Sequence, residues 1–415
     1  MSQNAQPTFE YDPFSPDVMA DPQPYYKTLR RDHPVYYSEK YDGFFISRFA
    51  DVVEMLAHDT DNTLMESEGS LPTPKALRQH NNGAPELPPD DPFPLVQKIG
   101  MPAYAQVRNA QIKPIMPGTV RKLADFVRAR AKERLDELLP TGTFNLTRDF
   151  GGYVSSNVMM HLLGMPKEEA AFCLDIVNSG TRTDPELGGF DSAAVAQQAI
   201  AHYMPYIQAR FDAGADGSVP MVDGLINYRY NGRPLSVAQV AQNLVCAFIG
   251  GIESVPKVTA QGLKALADNP AQLDAVRADL ETNVPVAVEE MLRFCAPAQW
   301  FMRTAHKPVT IAGQDIKPGQ RLFYLVGSAL RDENEFPNPD QFQWDREIKR
   351  NLAFGHGVHF CLGAHIAKLE VKIMVQEFLR RVPNYSFDME NALRPPSSFQ
   401  IAWNVLPVVI GEGAH

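Results

Sequence analysis

The sequence predicts a mainly α-helical protein with small β-sheets, folded as a single domain over residues 1–415. Apolar residues recur at steps of three and four along most of the chain, as they do between Gly118 and Leu139, and this spacing marks one face of a helix. Short strand-like runs bounded by Gly and Pro turns occur in only two regions. No internal repeat and no linker-like change of composition divides the chain, so one domain is expected.

The N-terminal region is predicted to combine two helices with a hairpin, after a polar arm at residues 1–20. A turn at Asp42 and Gly43 separates the two strands of the hairpin. In chain order, these helices and strands are Pro22–Arg31, Val35–Tyr37, Gly43–Ser47 and Phe49–His58.

Residues 66–94 differ from the rest of the chain, because they hold seven prolines and few apolar side chains. A loop of this length inside a compact chain is usually functional or without fixed structure. We therefore expect a mobile substrate-access loop, with plain disorder as the alternative.

The longest predicted helix begins after Ser236, because Ser236 and Gln239 form a capping-box pattern ahead of a long apolar stretch. Its middle breaks the helix rules. Gly250 and Gly251 each cost about 1 kcal/mol of helix propensity, and Pro256 lacks a backbone donor. A kink is expected just before Pro256, and strain at this position indicates a functional site.

The remaining elements follow from the same spacing rules. The other predicted helices are Gly118–Leu139, Val154–Leu163, Glu168–Val177, Ala193–Phe211 and Ala364–Arg381. The other predicted strands are Val309–Ile311, Asp315–Ile316 and Arg321–Tyr324, with a strand-like tail at Gln400–Ile410.

Composition excludes several classes of function. The chain has 39 Lys and Arg against 49 Asp and Glu, a net charge of −10, so no nucleic-acid partner is expected. Its four cysteines contain no C-x-x-C pair, so neither a zinc ribbon nor a disulfide framework is indicated. No long apolar run and no signal pattern occur, so we expect a cytoplasmic monomer without a membrane partner.

One cysteine lies in a setting that suits a metal. The run is Phe354-Gly355-His356-Gly357-Val358-His359-Phe360-Cys361-Leu362-Gly363, and a predicted helix follows. The glycines let backbone come close to a large flat group, and backbone N–H groups and the helix N-terminus stabilise a thiolate. These features describe an axial thiolate ligand of haem iron. The alternative is a buried structural cysteine in a Gly-rich turn.

The same run resembles the cytochrome P450 motif, Phe-Gly-x-Gly-x-His-x-Cys-x-Gly, at all six fixed positions. Further matches follow the family's order along nearly the whole chain. The resemblance implies the cytochrome P450 fold, with haem b between the long oxygen-binding helix and the Cys loop with its helix. It assigns Cys361 to the iron and places Phe354, Gly355, Gly363 and Gly250 against the haem.

The resemblance also implies a set of residues for the two haem propionates. Arg108, Arg303 and His359 would supply the cations, and a guanidinium suits a carboxylate geometrically. Tyr104 stands where relatives usually carry His, and its phenol is expected to donate to a propionate instead.

A second charged set resembles the family's Glu-x-x-Arg motif. Glu290 and Arg293 are expected to form a buried structural pair on the haem side of the core. Gln341 stands where many relatives have an Arg that joins this pair, and Arg346 is a candidate substitute.

The long helix carries a match to the family's oxygen-binding segment, Gly250-Gly251-Ile252-Glu253-Ser254. The resemblance implies that Glu253, as an acid connected to solvent, and Ser254 deliver the protons that dioxygen cleavage consumes. Ser keeps the hydroxyl of the usual Thr without its methyl, so a looser relay, assisted by water or by the substrate, is expected. The alternative is that Ser254 bonds a helix carbonyl and takes no part.

Carried over by position, three segments would line a substrate pocket, with Gln299 as its polar anchor. Their residues are Cys246, Ile249, Ala298, Gln299, Trp300, Ser398 and Phe399. Such a pocket suits a small hydrophobic molecule, for example a terpenoid, a steroid or an aromatic compound. Core packing explains apolar residues at these positions equally well.

The activity that the resemblance implies is a monooxygenase that hydroxylates or O-demethylates this substrate with O2. No flavin-binding segment is expected in 415 residues, so electrons from NAD(P)H would arrive through a ferredoxin and a ferredoxin reductase. Basic residues near Cys361 form the expected docking face, with a merely solvated surface as the alternative. They are Lys113, Arg346, Lys349, Arg350, Lys368 and Lys372.

Two other functions remain open from the sequence. The first is a peroxide-driven or redox-neutral haem-thiolate enzyme, and the acid at Glu253 argues against it. The second is a haem sensor or carrier without catalysis, and the oxygen-binding segment and the Pro-rich loop argue against it.

Overall fold

Helices build most of the protein, and this confirms the predicted class. The structure is a computed structural model that describes residues 9–72, 77, 100–179 and 192–415. Most of the predicted access loop at residues 66–94 therefore lies outside the described residues. Before residue 180 the α-helices are Pro16–Ala20, Gln23–Asp32, Phe49–Ala57, Ala103–Ile112, Pro117–Val120, Ala124–Leu138, Tyr153–Leu163 and Ala170–Ser179.

The second half holds the longest helix of the described residues. Val237–Ala267, called the central helix below, runs through the main apolar core. After residue 191 the α-helices are Ser192–Ala213, Pro220–Ile226, Val237–Ala267, Pro270–Ala278, Leu280–Phe294, Val326–Ala329 and Ala364–Arg381.

The start of the central helix is the predicted capping box. The Ser236 hydroxyl accepts the N–H of Gln239, and the Gln239 side chain accepts the N–H of Ser236 at 2.6 Å. Pro256 does not end the helix, which continues to Ala267. A π-helix at Leu146–Gly152, which the sequence analysis missed, packs against this part. At Gly151 a Cβ would lie 2.8 Å from Cα of Pro256, so only glycine permits this approach.

Small sheets flank the helical core. The largest has the strand order β1-β2-β10-β7-β3, in which β2 and β10 are parallel and the other pairs antiparallel. The strands are β1 (Val35–Ser38), β2 (Gly43–Ile46), β3 (Leu64–Met65), β4 (Thr143–Asn145), β5 (Arg229–Tyr230), β6 (Arg233–Pro234), β7 (Phe301–Ala305), β8 (Val309–Ile311), β9 (Gln314–Ile316), β10 (Arg321–Tyr324), β11 (Tyr385–Phe387) and β12 (Pro407–Ile410).

Two strand predictions need correction. The predicted tail strand Gln400–Ile410 is a strand only at β12, because the chain before it forms single bridges, Gln400 with Ala298 and Val405 with Leu393. Strand β7 was missed, because its buried Arg303 and Thr304 hide the alternation of apolar and polar residues.

A buried acid, Glu370, joins two helices outside the site. It lies on the helix Ala364–Arg381, and Ser155 donates a hydrogen bond of 2.7 Å to its Oε2 from the helix Tyr153–Leu163. Burial raises the pKa of Glu370 to about 8, and the hydrogen bond from Ser155 opposes this by less.

Glu370→Gln should stabilise the protein at neutral and alkaline pH. The pKa of Glu370 is higher in the folded protein than in the unfolded chain. Its contribution to stability is therefore complete at acidic pH and is lost as the pH rises through about 8. The gain of the variant is expected to reach about 3 kcal/mol at pH 7 and to vanish near pH 4.

Urea unfolding followed by circular dichroism between pH 4 and 8.5 measures this difference. Glu390→Gln, at an exposed position, is the control. Parallel stability curves for the wild type and Glu370→Gln would show that Glu370 is ionised in the folded protein.

Candidate active site

The cysteine loop leads directly into the helix Ala364–Arg381. The N–H of Cys361 donates to the carbonyl of Phe354 at 2.8 Å, and the N–H of Gly363 donates to the sulfur. Burial raises the pKa of Cys361, and the Gly363 N–H and the charge of Arg108 lower it by less. The thiol is therefore protonated in the free protein, and a coordinating metal ion would deprotonate it.

Two glycines shape this loop through left-handed backbone. Gly355 has a φ of 72° and Gly357 a φ of 69°, which L-residues rarely adopt. Gly357 also packs against the carbonyl oxygen of Leu56, 3.2 Å from the position of a Cβ. Gly363 has a φ of −90°, so its conformation does not require glycine.

The central helix turns an open face toward this part of the protein. Cys246, Gly250 and Ser254 follow one another at steps of four, and Cys246 and Gly250 are exposed although the helix is otherwise mostly buried. No described atom lies within 4 Å of a Cβ placed on Gly250. The central helix also packs against the helix Ala364–Arg381, which begins three residues after Cys361.

The hydroxyl of Ser254 is not used by the helix. Thr259, on the same helix, donates its hydroxyl to the carbonyl of Val255 at 2.9 Å. Ser254 has no such side-chain bond to any described residue. This argues against the alternative in which Ser254 only bonds a helix carbonyl.

Glu253 is buried in a network that the sequence analysis missed. Its Oε1 lies 2.6 Å from Nζ of Lys257, and its Oε2 accepts a hydrogen bond of 2.9 Å from Gln400. The expectation of an acid open to solvent is therefore wrong for this structure. A signal was present, since Lys257 follows Glu253 by four residues in an otherwise apolar stretch.

Arg303 and His359, both predicted for the propionates, converge on a carboxylate of the protein. Nη1 of Arg303 is 2.7 Å from Oε1 of Glu66, and Nδ1 of His359 is 3.8 Å from the same oxygen. Asp59 holds the other side of Arg303, with Nε 3.0 Å from Oδ1. The sequence analysis missed both acids, because nothing in their local sequence connects them with Arg303.

The side chains beside Glu66 are donors. The rings of Tyr104 and His359 are 4.4 Å apart, and the buried Tyr104 hydroxyl has no hydrogen-bond partner among the described residues. Burial, with the charges of Arg303 and Arg108, lowers the pKa of His359 well below its usual range. Burial thus favours the neutral imidazole of His359, which still offers one hydrogen-bond donor. Arg108 donates to the carbonyl of Phe360.

These features fit a haem. The sulfur of Cys361 would hold the iron, and Gly250 presents no Cβ on the open face of the central helix. The unpartnered hydroxyl of Tyr104 and the guanidinium of Arg303 suit propionates, since both donate to carboxylates. The negative charge of Glu66, on the side of Arg303 that faces His359, would oppose a propionate.

The Glu-x-x-Arg pair forms a buried cluster with a third partner. Arg293 binds Glu290 through two hydrogen bonds of 2.7 Å, and Nε of Arg346 lies 3.1 Å from Oε2 of Glu290. Gln341 contributes its carbonyl, which accepts from Arg346 at 2.9 Å. Because Arg346 is buried here, it does not belong to the predicted docking face.

The predicted pocket residues divide into two groups. Cys246 is exposed and Ile249 and Ala298 are half-buried, whereas the others are buried. Gln299 is not free to anchor a substrate, because its amide accepts from Tyr26 at 3.2 Å and donates to the carbonyl of Pro297 at 3.0 Å. Trp300 packs in the N-terminal core and donates to the carbonyl of Ser398 at 2.9 Å.

Known proteins resemble this chain over most of its length. The family model described as Cytochrome P450 matches residues 188–406. Putative cytochrome P450 123 of Mycobacterium tuberculosis is 29% identical over 408 residues, which are 97% of this chain and 98% of that protein. Putative cytochrome P450 126 of the same species is 30% identical over 287 residues, 68% of each chain.

Solved structures agree with these matches. The structure of cytochrome P450 CYP109Q5 from Chondromyces apiculatus has a TM-score of 0.80 to this chain at 26% identity. The match covers 98% of this chain and 99% of the solved chain. The predicted fold is thereby confirmed.

Glu66→Gln should slow the loss of haem from the loaded protein. A Gln amide accepts from Arg303 and donates to a propionate, whereas the Glu carboxylate repels it. Haem transfer to excess apomyoglobin, followed in the Soret band, is expected to slow about fivefold, equivalent to about 1 kcal/mol. Glu390→Gln, at an exposed position, is the control. Faster haem loss in Glu66→Gln would show that Glu66 supports Arg303 more than it opposes the propionate.

Proposed function

The chain belongs to the cytochrome P450 family of haem-thiolate monooxygenases, and from this premise we propose that it inserts one atom of O2 into a small hydrophobic molecule. The reaction is a hydroxylation or an O-demethylation. A ferredoxin supplies the electrons, which a ferredoxin reductase takes from NAD(P)H. The bound haem supplies the iron centre at which dioxygen is activated.

The observation that carries the proposal is the position of Cys361. Its sulfur accepts the N–H of Gly363 at the start of a helix, and the helix that follows the cysteine loop packs against the central helix. A hydrogen-bond donor and a helix N-terminus both stabilise a thiolate ligand. Arg303 and Tyr104 would hold the propionates of the same haem.

Proton delivery is the task that we assign to Ser254 and Glu253. The hydroxyl of Ser254 is on the open face of the central helix and is not bonded to its backbone. Glu253 is the adjacent acid. A serine hydroxyl can both donate and accept a hydrogen bond, so Ser254 is suited to pass a proton toward the reacting oxygen.

The predicted pocket residues favour an apolar substrate. Cys246, Ile249, Ala298 and Phe399 offer no charge, and the polar Gln299 is bonded within the protein. We propose that substrates are held by shape and apolar contact. Terpenoids, steroids and small aromatic compounds are the classes to screen.

Fewer basic residues than the six predicted support ferredoxin docking, because Arg346 is buried. Lys113 and Lys349 are exposed, and the Phe360 side chain, 39% exposed, lies next to Cys361. Lys349 lies near Glu347, and Arg350 and Lys368 remain at the surface but pair with Glu335 and Glu289.

Location and assembly stay predictions. No helix within the described ranges is long and apolar enough to cross a bilayer. The cytoplasmic location, the monomeric state and the single-domain organisation are expected from the sequence.

Reduction under carbon monoxide with a panel of hydrophobic ligands tests the proposal. The thiolate of Cys361 predicts a strongly red-shifted Soret band, which Cys361→Ser should lose.

Ser254→Ala should keep the band and lower the product formed per NAD(P)H consumed by about tenfold. Product formation driven by peroxide, with none from a ferredoxin system, would favour the peroxide-driven alternative. No turnover with any donor would revive the haem sensor or carrier.

Charge reversal at Lys113 tests the electron donor. Lys113 follows the segment in which Arg108 binds the carbonyl of Phe360. Lys113→Glu should slow reduction by an acidic ferredoxin about fivefold at low salt, and the difference should shrink near 0.5 M salt. Lys317→Glu, at the exposed turn after β9, is the control. Equal rates for Lys113→Glu and the wild type at low salt would exclude docking through Lys113.

A further inference from the structure

We propose that Lys257 is a positioning residue for Glu253 and that Gln400 connects this acid with the substrate-binding loop. The three side chains form a closed buried network beside the oxygen-binding segment. This inference rests on the proposed function, because it extends the role assigned there to Glu253.

Each member of the network bonds to the other two. The ammonium of Lys257 binds Oε1 of Glu253 and also the Oε1 of Gln400. The amide nitrogen of Gln400 donates to Oε2 of Glu253 at 2.9 Å. Both carboxylate oxygens are therefore held by separate donors, and the carboxylate cannot turn without breaking at least one of these bonds.

Burial makes this network expensive to disturb. The side chains of Lys257 and Glu253 are 2% and 3% exposed, so both charges have lost nearly all their water. A lone buried carboxylate or ammonium costs several kcal/mol, which the partner charge and the neutral amide offset. Lys257 thereby holds one carboxylate oxygen of Glu253 in a fixed position next to Ser254.

Gln400 ties this charge pair to two segments of the predicted pocket. Its backbone forms a bridge with Ala298, and the carbonyl of Phe399 accepts the N–H of Gln299 at 2.8 Å. Ser397 caps the turn by accepting the N–H of Gln400 at 3.0 Å. A substrate that shifts Phe399 therefore acts on the side chain that holds Oε2 of Glu253.

The network consequently links the pocket with proton delivery. Substrate bound against the loop at residues 397–400 keeps Gln400 in place, and Lys257 and Gln400 together keep Glu253 oriented beside Ser254. Removing either support should waste electrons and leave substrate affinity almost unchanged. A merely structural role would instead lower haem retention and stability without this separation.

Single substitutions separate the two supports. Lys257→Met and Gln400→Leu should lower product per NAD(P)H consumed at least about fivefold, whereas Lys257→Arg, which keeps the cation, should restore most of it. Substrate dissociation constants from the Soret shift should stay within about twofold of the wild type. Lys264→Met, which removes an exposed pair with Asp268 on the same helix, is the matched control.

The double variant Glu253→Gln with Lys257→Met tests the inference even if Lys257→Met alone fails to fold. It leaves no unpaired buried charge, so its melting temperature and haem retention should exceed those of Lys257→Met alone. Its product yield per NAD(P)H should equal that of Glu253→Gln, because Lys257 acts only through Glu253. A yield clearly below that of Glu253→Gln would overturn the inference.

Glu253→Gln alone distinguishes this inference from the proposed function. Normal coupling in Glu253→Gln would remove the acid role itself, and the inference with it. Uncoupling in Glu253→Gln together with normal coupling in Lys257→Met and Gln400→Leu would overturn the inference alone. Equal losses of coupling and substrate affinity in Lys257→Met and Lys257→Arg would reduce Lys257 to a structural role.

Discussion

Compensation of buried charge is the constraint on which the site depends. An ion that leaves water inside a protein needs a partner of opposite sign and a full set of hydrogen bonds. The Glu290 cluster meets this need with two guanidinium groups, and Arg303 meets it with Asp59 and Glu66. Glu253 meets it with Lys257 and Gln400. Each cluster joins elements that are far apart in the chain, so the same interactions that neutralise charge also hold the site together.

The same need to compensate buried charge applies to the central helix. Most of its residues are buried and apolar, yet it carries an acid, a lysine and an open face within three turns. Gly151 of the neighbouring π-helix lets its backbone approach that of the central helix closely at Pro256. Rigid packing on one side and free space on the other suit a helix that must border a flat group and still present a hydroxyl to it.

Sequence reasoning succeeded where the chemistry is local. The loop around Cys361, the capping box at Ser236 and the bounds Ala364–Arg381 depend on residues close together in the chain, and the structure places them as predicted. It failed where partners are remote. Strand β7 was missed because a buried position for Arg303 is expected only when its partners Asp59 and Glu66 are known. The bonds that occupy Gln299 and the network around Glu253 also required the fold, since Tyr26 and Gln400 are distant in sequence.

The Glu290 cluster has its second guanidinium although the arginine that supplies it stands at a different position in the chain. The side chain of Gln341 supplies no charge, while Arg346, five residues later, reaches the same carboxylate. The backbone carbonyl at 341 still binds that guanidinium. A column-by-column alignment would register a lost arginine here, although the electrostatic balance of the cluster is intact. Ancestral reconstruction or chimera design across this loop therefore has to exchange positions 341 and 346 as one unit.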